Sequence, residues 1–428
     1  MKIVYFDDMS QDDLDTKYLN RGDTANNEID AIVDQILKEV KRRGDAALQE
    51  YTLKFDGVTL SNIRVSQEEV EEAFSKVEPE FVAILKEAKE NIWYYHEKQK
   101  QNSWFRNPSE NIILGQMVTP LERIGIYVPG GKAAYPSTVL MNAIPALVAG
   151  VDSIAMVSPP NKEGKLNPYV LVAANLCGVR EIYKVGGAQS IGALAFGTKT
   201  IPPVDKIVGP GNSYVAMAKK KVYGSVDIDM IAGPSEICIL ADNKGNATFI
   251  AADLLSQAEH DEDAGVILVT TSQELAEKVQ EEVKRQAALL IRKEIIQKSL
   301  KNHGYIFVVP DLEIGFRLVN KIAPEHLELM VDSPFDALSK IKNAGAIFLG
   351  AYSPEPLGDY FAGPNHTLPT GGTARFSSPL GVDDFIKKSS IIYYNRSALD
   401  QARDQIIYFA EKEGLTAHAN AIRVRDKG

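Results

Sequence analysis

Six histidines occur in the 428 residues, and four of them, His260, His326, His366 and His418, occupy sparse positions toward the C-terminal end. The stretch Asp253-Leu254-Leu255-Ser256-Gln257-Ala258-Glu259-His260 has the pattern of a helix, which places Gln257 and His260 three apart on one face. A carboxamide oxygen beside an imidazole makes two neutral ligands for a borderline divalent metal. By itself the pair reads first as an ordinary surface helix with a solvated histidine, and only the company of the later residues turns it toward a metal. Asp359 lies in a glycine- and proline-rich loop, 356–366, that also holds His366. Its plain alternative is a turn in which Asp359 bonds its own backbone. His418 follows Glu411 and Glu413 near the end of the chain. Gln257, His260, Asp359 and His418 together make four nitrogen and oxygen ligands. That set suits tetrahedral zinc, or a six-coordinate site completed by two substrate atoms.

A second pair carries proton chemistry. Ala323-Pro324-Glu325-His326 reads as a helix start with Pro324 at its first position. The positive end of the helix dipole would then keep His326 neutral, as a general base must be, and Glu325 ionised. An N-terminal glutamate that only satisfies the dipole is the alternative.

These residues need elements to position them. Residues 26–101 read as helices: Ile29, Ile32, Val33, Ile36, Leu37 and Val40 keep helical spacing, Gly44 ends that run, and Asp45 is placed to cap the next. Ser66-Gln67-Glu68-Glu69 spells a capping box. From Arg123 the texture changes to short apolar runs that end in glycine or proline and lead into helical patterns. Such runs cover 124–128, 153–157, 181–185 and 206–208, then 236–240, 265–271, 305–309 and 346–349. This rhythm predicts an α/β chain with two doubly wound parallel sheets. The expected division is an N-terminal extension (1–25), a discontinuous first α/β domain (26–122 and 236–378), a second (123–235), and a helical tail (379–428) packed on another domain or subunit. Three strand-to-helix junctions, 127–131, 186–189 and 209–212, have the glycines that let backbone approach a phosphate. None spells a dinucleotide or P-loop fingerprint; 125–132 has one residue too many, and Ala133 stands where Ser or Thr should bind magnesium. Nucleotide-binding turns and plain turns remain equal readings.

Composition narrows the partners. The chain is 45% hydrophobic and 24% charged with a formal charge of -10, which disfavours a nucleic-acid groove or an anionic membrane surface. The opening residues lack a signal-peptide core, and the apolar run 137–151 is too short to span a bilayer. Two lone cysteines, Cys177 and Cys238, cannot build a thiolate zinc site and suit a reducing cytoplasm.

Ile228-Asp229-Met230-Ile231-Ala232-Gly233-Pro234-Ser235-Glu236, continued through 253–260, resembles the signature of the histidinol dehydrogenase family. The runs 123–131, 186–189, 323–326 and 359–366 resemble the same family, so the likeness spans nearly the whole chain. The resemblance implies oxidation of L-histidinol through an aldehyde stage to L-histidine, with two NAD reduced. It implies zinc on Gln257, His260, Asp359 and His418, the last donated by the partner of a homodimer. His326 would move the hydroxyl proton and Glu325 would activate water. Ser235, His366 and Glu413 would hold the substrate with those groups, and Tyr127, Gln189 and Asn212 would contact NAD. A zinc hydrolase using Glu325 on a metal-bound water, and a zinc that only staples a dimer, are the competing readings.

Overall fold

The computed structural model describes residues 1–8, 27–130 and 134–426. Most of the expected N-terminal extension and Gly131 to Ala133 of the glycine junction lie outside them. The strands in chain order begin with β1 (Lys2–Tyr5), β2 (Trp104–Ser109), β3 (Ile112–Pro120), β4 (Arg123–Tyr127), β5 (Ser153–Ser158), β6 (Glu181–Lys184) and β7 (Lys206–Val208). They continue with β8 (Asp227–Ile228), β9 (Glu236–Ala241), β10 (Gly265–Thr270), β11 (Gly304–Val308), β12 (His326–Met330), β13 (Ala346–Leu349) and β14 (Ile386–Tyr394).

Two compact units result: residues 1–99 with 122–385, and residues 100–121 with 386–428. The first holds two parallel sheets, in the orders β6-β5-β4-β7-β8 and β1-β11-β10-β9-β12-β13. Near-continuous apolar runs such as Ile237 to Ala241 and Val266 to Val269 are buried on both faces, as parallel strands covered by helices require. The α/β expectation with two doubly wound, Rossmann-like sheets therefore holds. Each sheet reverses its strand order once, between β4 and β7 in the first and between β9 and β12 in the second.

The early helices pack differently from the expected grouping of 26–122 with 236–378. Val33, Ile36, Leu37 and Val40 of the helix Asn27–Arg43 share a core with Tyr127, Val157 and Ile207 of the five-stranded sheet and Ile191 of the helix Gly187–Phe196. The apolar stripe had to be buried somewhere, and nothing local to it says against which sheet. Gly44, not Asp45, is the N-cap of the helix Asp45–Asp56; the Asp45 carboxylate accepts instead from Thr200 Oγ1 at 2.7 Å. The Ser66 capping box forms as expected. β1, expected as an extension, is the edge strand beside β11.

The second unit is an antiparallel sheet, β14-β3-β2, with the helices Arg396–Lys412 and Thr416–Arg423. The tail is thus not wholly helical. β14 carries little apolar alternation because most of its residues are exposed, which removes the period-two signal.

Candidate active site

A cavity of about 500 Å³ opens between the carboxyl end of the five-stranded sheet and the amino end of the six-stranded one. Gly209 to Ser213 line it from the first side; Ser235, Gln257, His260, Glu325, His326, Asp359 and His366 line it from the second. The rule that ligands gather at carboxyl ends near a switch point describes the first sheet only.

Gln257 reaches the cavity because its helix, Ala247–Ala258, must bury Ile250, Ala251, Leu254, Leu255 and Ala258. Position 257 falls on that same side. Asn246 caps the helix start through its carboxamide oxygen. The helix ends at Ala258, so His260 lies just past it rather than one turn along, tied by His260 N–H donating to the Gln257 carbonyl at 3.2 Å. Asp359 sits on a short helix, Glu355–Tyr360, where a loop was expected. His366 Nδ1 lies 3.1 Å from the Asp359 carbonyl.

Glu325 and His326 do not open a helix. The helix Leu312–Ile322 stops at Ala323, whose φ of 47° turns the chain, and Pro324 prevents its continuation. His326-Leu327-Glu328-Leu329-Met330 then alternates as β12, with Leu327 and Leu329 in one core and Met330 in the other. The helix dipole therefore does not set the state of this pair. Glu325 Oε2 accepts from Glu236 N–H at 2.9 Å, and burial pushes its carboxyl up to about 8. His326 Nδ1 lies 3.2 Å from the Glu236 carbonyl and Nε2 lies 3.7 Å from Asp359 Oδ1. Burial alone would lower the imidazole, but the Glu325 and Asp359 carboxylates reverse this and raise it to about 10. Asp359 is held near 2: burial opposes ionisation, and the His326, His366 and His260 rings override it.

Glu355 was not anticipated. It stands four residues before Asp359 on the same helix face, and ligand atoms of His260, Glu355 and Asp359 lie within 4.8 Å of one another. That i, i+4 carboxylate spacing was the available signal. Behind it, Asp253 and Glu328 complete a buried acidic group; burial raises Asp253 to about 6, Glu355 to about 7, and Glu328 well above the usual range.

These residues fit a metal. Gln257 is fully buried, yet neither atom of its carboxamide has a hydrogen-bond partner, a costly arrangement that a cation beside His260 and Asp359 would relieve. No cysteine lines the cavity, so a donor set of nitrogen and oxygen remains, as for zinc. His418 and Glu413 belong to the second unit and are exposed there. Of the expected cofactor contacts, Asn212 lines the cavity while its side-chain oxygen caps the helix Ser213–Val222. Tyr127 is buried, its hydroxyl accepting from Gly187 N–H at 3.4 Å. Gln189 is buried with Oε1 unpartnered beside Gly187, an atom that a ligand at this junction could satisfy.

Two parallel α/β sheets, a nitrogen/oxygen ligand cluster and an adjoining buried acid/imidazole pair define the class of an α/β enzyme. The family model for histidinol dehydrogenase matches residues 19–426. The histidinol dehydrogenase of Clostridium acetobutylicum is 61% identical over 402 residues, covering 94% of this chain and 93% of that protein. That of Caldanaerobacter subterraneus subsp. tengcongensis is 55% identical over 411 residues, covering 96% and 95%. The crystal structure of histidinol dehydrogenase from Elizabethkingia anophelis superposes with a TM-score of 0.95 at 40% identity, covering 100% of this chain and 98% of that one. The chain belongs to the histidinol dehydrogenase family, oxidoreductases of histidine biosynthesis.

Proposed function

We propose that the protein oxidises L-histidinol to L-histidine in two hydride transfers through the aldehyde, with zinc bound and two NAD reduced. The carrying observation is that Gln257, His260 and Asp359 line one cavity with Glu325, His326 and the Gly209 to Asn212 junction. Zinc on Gln257, His260, Asp359 and His418 supplies a Lewis acid and an anchor for the imidazole and amine of the substrate. NAD, contacted by Tyr127, Gln189 and Asn212, supplies the hydride acceptor. Ser235, His366 and Glu413 hold the substrate.

Proton movement belongs to the chain itself. A carbonyl only accepts, so the Glu236 carbonyl keeps one proton on His326 Nδ1 and leaves Nε2 to exchange protons with the cavity. A cation on Asp359 would offset one of the carboxylates that raise the ring to about 10 and so favour the neutral base. Nε2 makes no hydrogen bond within the protein, Asp359 Oδ1 lying 3.7 Å away, and it takes the hydroxyl proton as hydride leaves carbon. Glu325 takes a proton from water, whose oxygen adds to the aldehyde carbon. His326, having released its first proton to water in the cavity, takes the hydrate's hydroxyl proton as the second hydride leaves, which yields the carboxylate. A Glu325 carboxyl raised to about 8 is matched to accepting a proton near neutrality.

Exposed His418 and Glu413 support a homodimer in which each copy completes the other's site. No helix among the described residues is long and apolar enough to cross a membrane. Neither buried cysteine, Cys177 nor Cys238, is in a disulfide, which suits a reducing cytoplasm. Incubation with histidinol and NAD should produce NADH, and a chelator should abolish it. A hydrolase would form no NADH, and a zinc that only staples a dimer would be lost with dissociation and no turnover to lose. Mixing His326→Gln with His418→Ala subunits should restore activity to the mixed dimer; no restoration would overturn the shared site.

A further inference from the structure

The junction after β7 is held by charges that the proposed reaction does not use. Lys219 and Asp229 form an ion pair whose side chains are 3% and 1% exposed. Lys219 Nζ donates to the Gly209 carbonyl at 2.9 Å, and Gly209 N–H donates to Asp229 Oδ2 at 2.8 Å. One buried pair thus satisfies both backbone groups of one glycine. Gly209 has a φ of 109°, and a Cβ there would stand 2.2 Å from the Tyr127 carbonyl oxygen, so the β4 and β7 ends touch at this point. Asp229 Oδ1 also accepts from Met230 N–H at 2.6 Å, which ties in the segment leading to Gly233 and Ser235. Lys219 and Asp229 both line the cavity.

Buried ion pairs are poor sources of stability, because desolvation offsets their attraction and apolar residues pack as well. What this pair does uniquely is fix the path of 209–212 at the switch point of the five-stranded sheet. We infer that Lys219 and Asp229 are positioning residues for the nucleotide cofactor: they hold the Gly209 to Asn212 junction in the shape that receives it. The inference rests on the reading that NAD binds at this junction. The 233–235 end of the neighbouring segment has its own anchor, since Gly233 N–H donates to Thr370 Oγ1 at 2.6 Å. Loss of the pair therefore strikes the cofactor side first.

The test is NAD affinity by calorimetry on the zinc-loaded enzyme, with zinc content and Tm measured on each variant. Lys219→Met should weaken NAD about 10-fold or more through misplacement of the junction, with zinc content and histidinol affinity unchanged. The double variant Lys219→Gln/Asp229→Asn keeps a donor for the Gly209 carbonyl and an acceptor for its N–H, and should recover affinity to within about threefold. If Lys219→Met does not fold, Asp229→Ala, which removes the acceptor for the Gly209 N–H, serves as the weakened state against which that recovery is read. A purely structural pair would lower Tm and leave the NAD affinity of folded protein untouched, which overturns the inference. Asn212→Ala and Gln189→Ala separate the two claims. If they weaken NAD while Lys219→Met does not, the positioning role alone fails; if none of them does, the cofactor reading fails with it.

Discussion

Glu325→Gln is the sharpest perturbation of the proposed chemistry. The carboxamide keeps an oxygen for the Glu236 N–H that Glu325 Oε2 now engages at 2.9 Å, so the backbone of β9 and β12 stays in place. What is lost is a base. A positioned general base contributes about 10²–10⁴ in rate, or about 3–5 kcal/mol, and that loss should fall on aldehyde oxidation. Burial raises the Glu325 carboxyl to about 8, and only its ionised form accepts a proton. At pH 7 about one tenth of it is then ionised, so aldehyde oxidation should climb roughly tenfold from pH 7 to its plateau above about pH 9. The sign follows from the acid: protonation at low pH removes the base, and rising pH restores it. Stopped-flow NADH absorbance with histidinol, and separately with the aldehyde, across pH 6 to 10 resolves the two oxidations. The variant should show a slow second phase without the rise centred near pH 8, and a first phase within severalfold of the parent. Equal losses in both phases, or a variant whose second phase keeps the rise centred near pH 8, would refute the division of labour between Glu325 and His326.

Glu355→Gln should weaken zinc about 10–100-fold by removing the carboxylate beside His260 and Asp359, measured by competition with a chelating dye; wild-type affinity would show that Glu355 takes no part. Arg123 clasps Glu181 through two hydrogen bonds of 2.6 and 2.9 Å and holds it near 2, so stability from this pair is complete above pH 4.5 and lost as pH falls toward 2. After allowance for solvent screening this is about 1–2 kcal/mol, visible as a declining urea midpoint that Arg123→Met should flatten. Gly209→Ala should cost about 2–4 kcal/mol, because its φ of 109° and the Tyr127 carbonyl leave no room for a methyl group. An unchanged Tm would contradict the close approach of β4 and β7.

Much of the fold was legible wherever local pattern and burial agree. The runs at 124–128, 153–157, 181–185 and 206–208 became β4 to β7 because a strand buried on both faces must be apolar throughout. The Ser66 capping box formed because both of its hydrogen bonds are local. β12 was missed although Leu327 and Leu329 alternate with His326 and Glu328, since Pro324 suits a helix start as well as a helix end. β14 was missed for lack of alternation, and β1 because a short edge strand looks like any extended terminus.

The candidate site divides in the same way. Residue types and their order along the chain were enough to single out Gln257, His260, Glu325, His326 and Asp359, because ligand and proton chemistry is written in side-chain identity. Which of them meet, and in what state, was decided by the fold: three elements more than a hundred residues apart in total converge on the amino end of one sheet, opposite the carboxyl end of another. Only that convergence exposes Glu355 as a neighbour of His260 and sets Asp359 against His326. It also replaces an assumed helix dipole by two flanking carboxylates as the field acting on His326. Electrostatic energy depends on distance and burial, and neither quantity exists until the chain has folded.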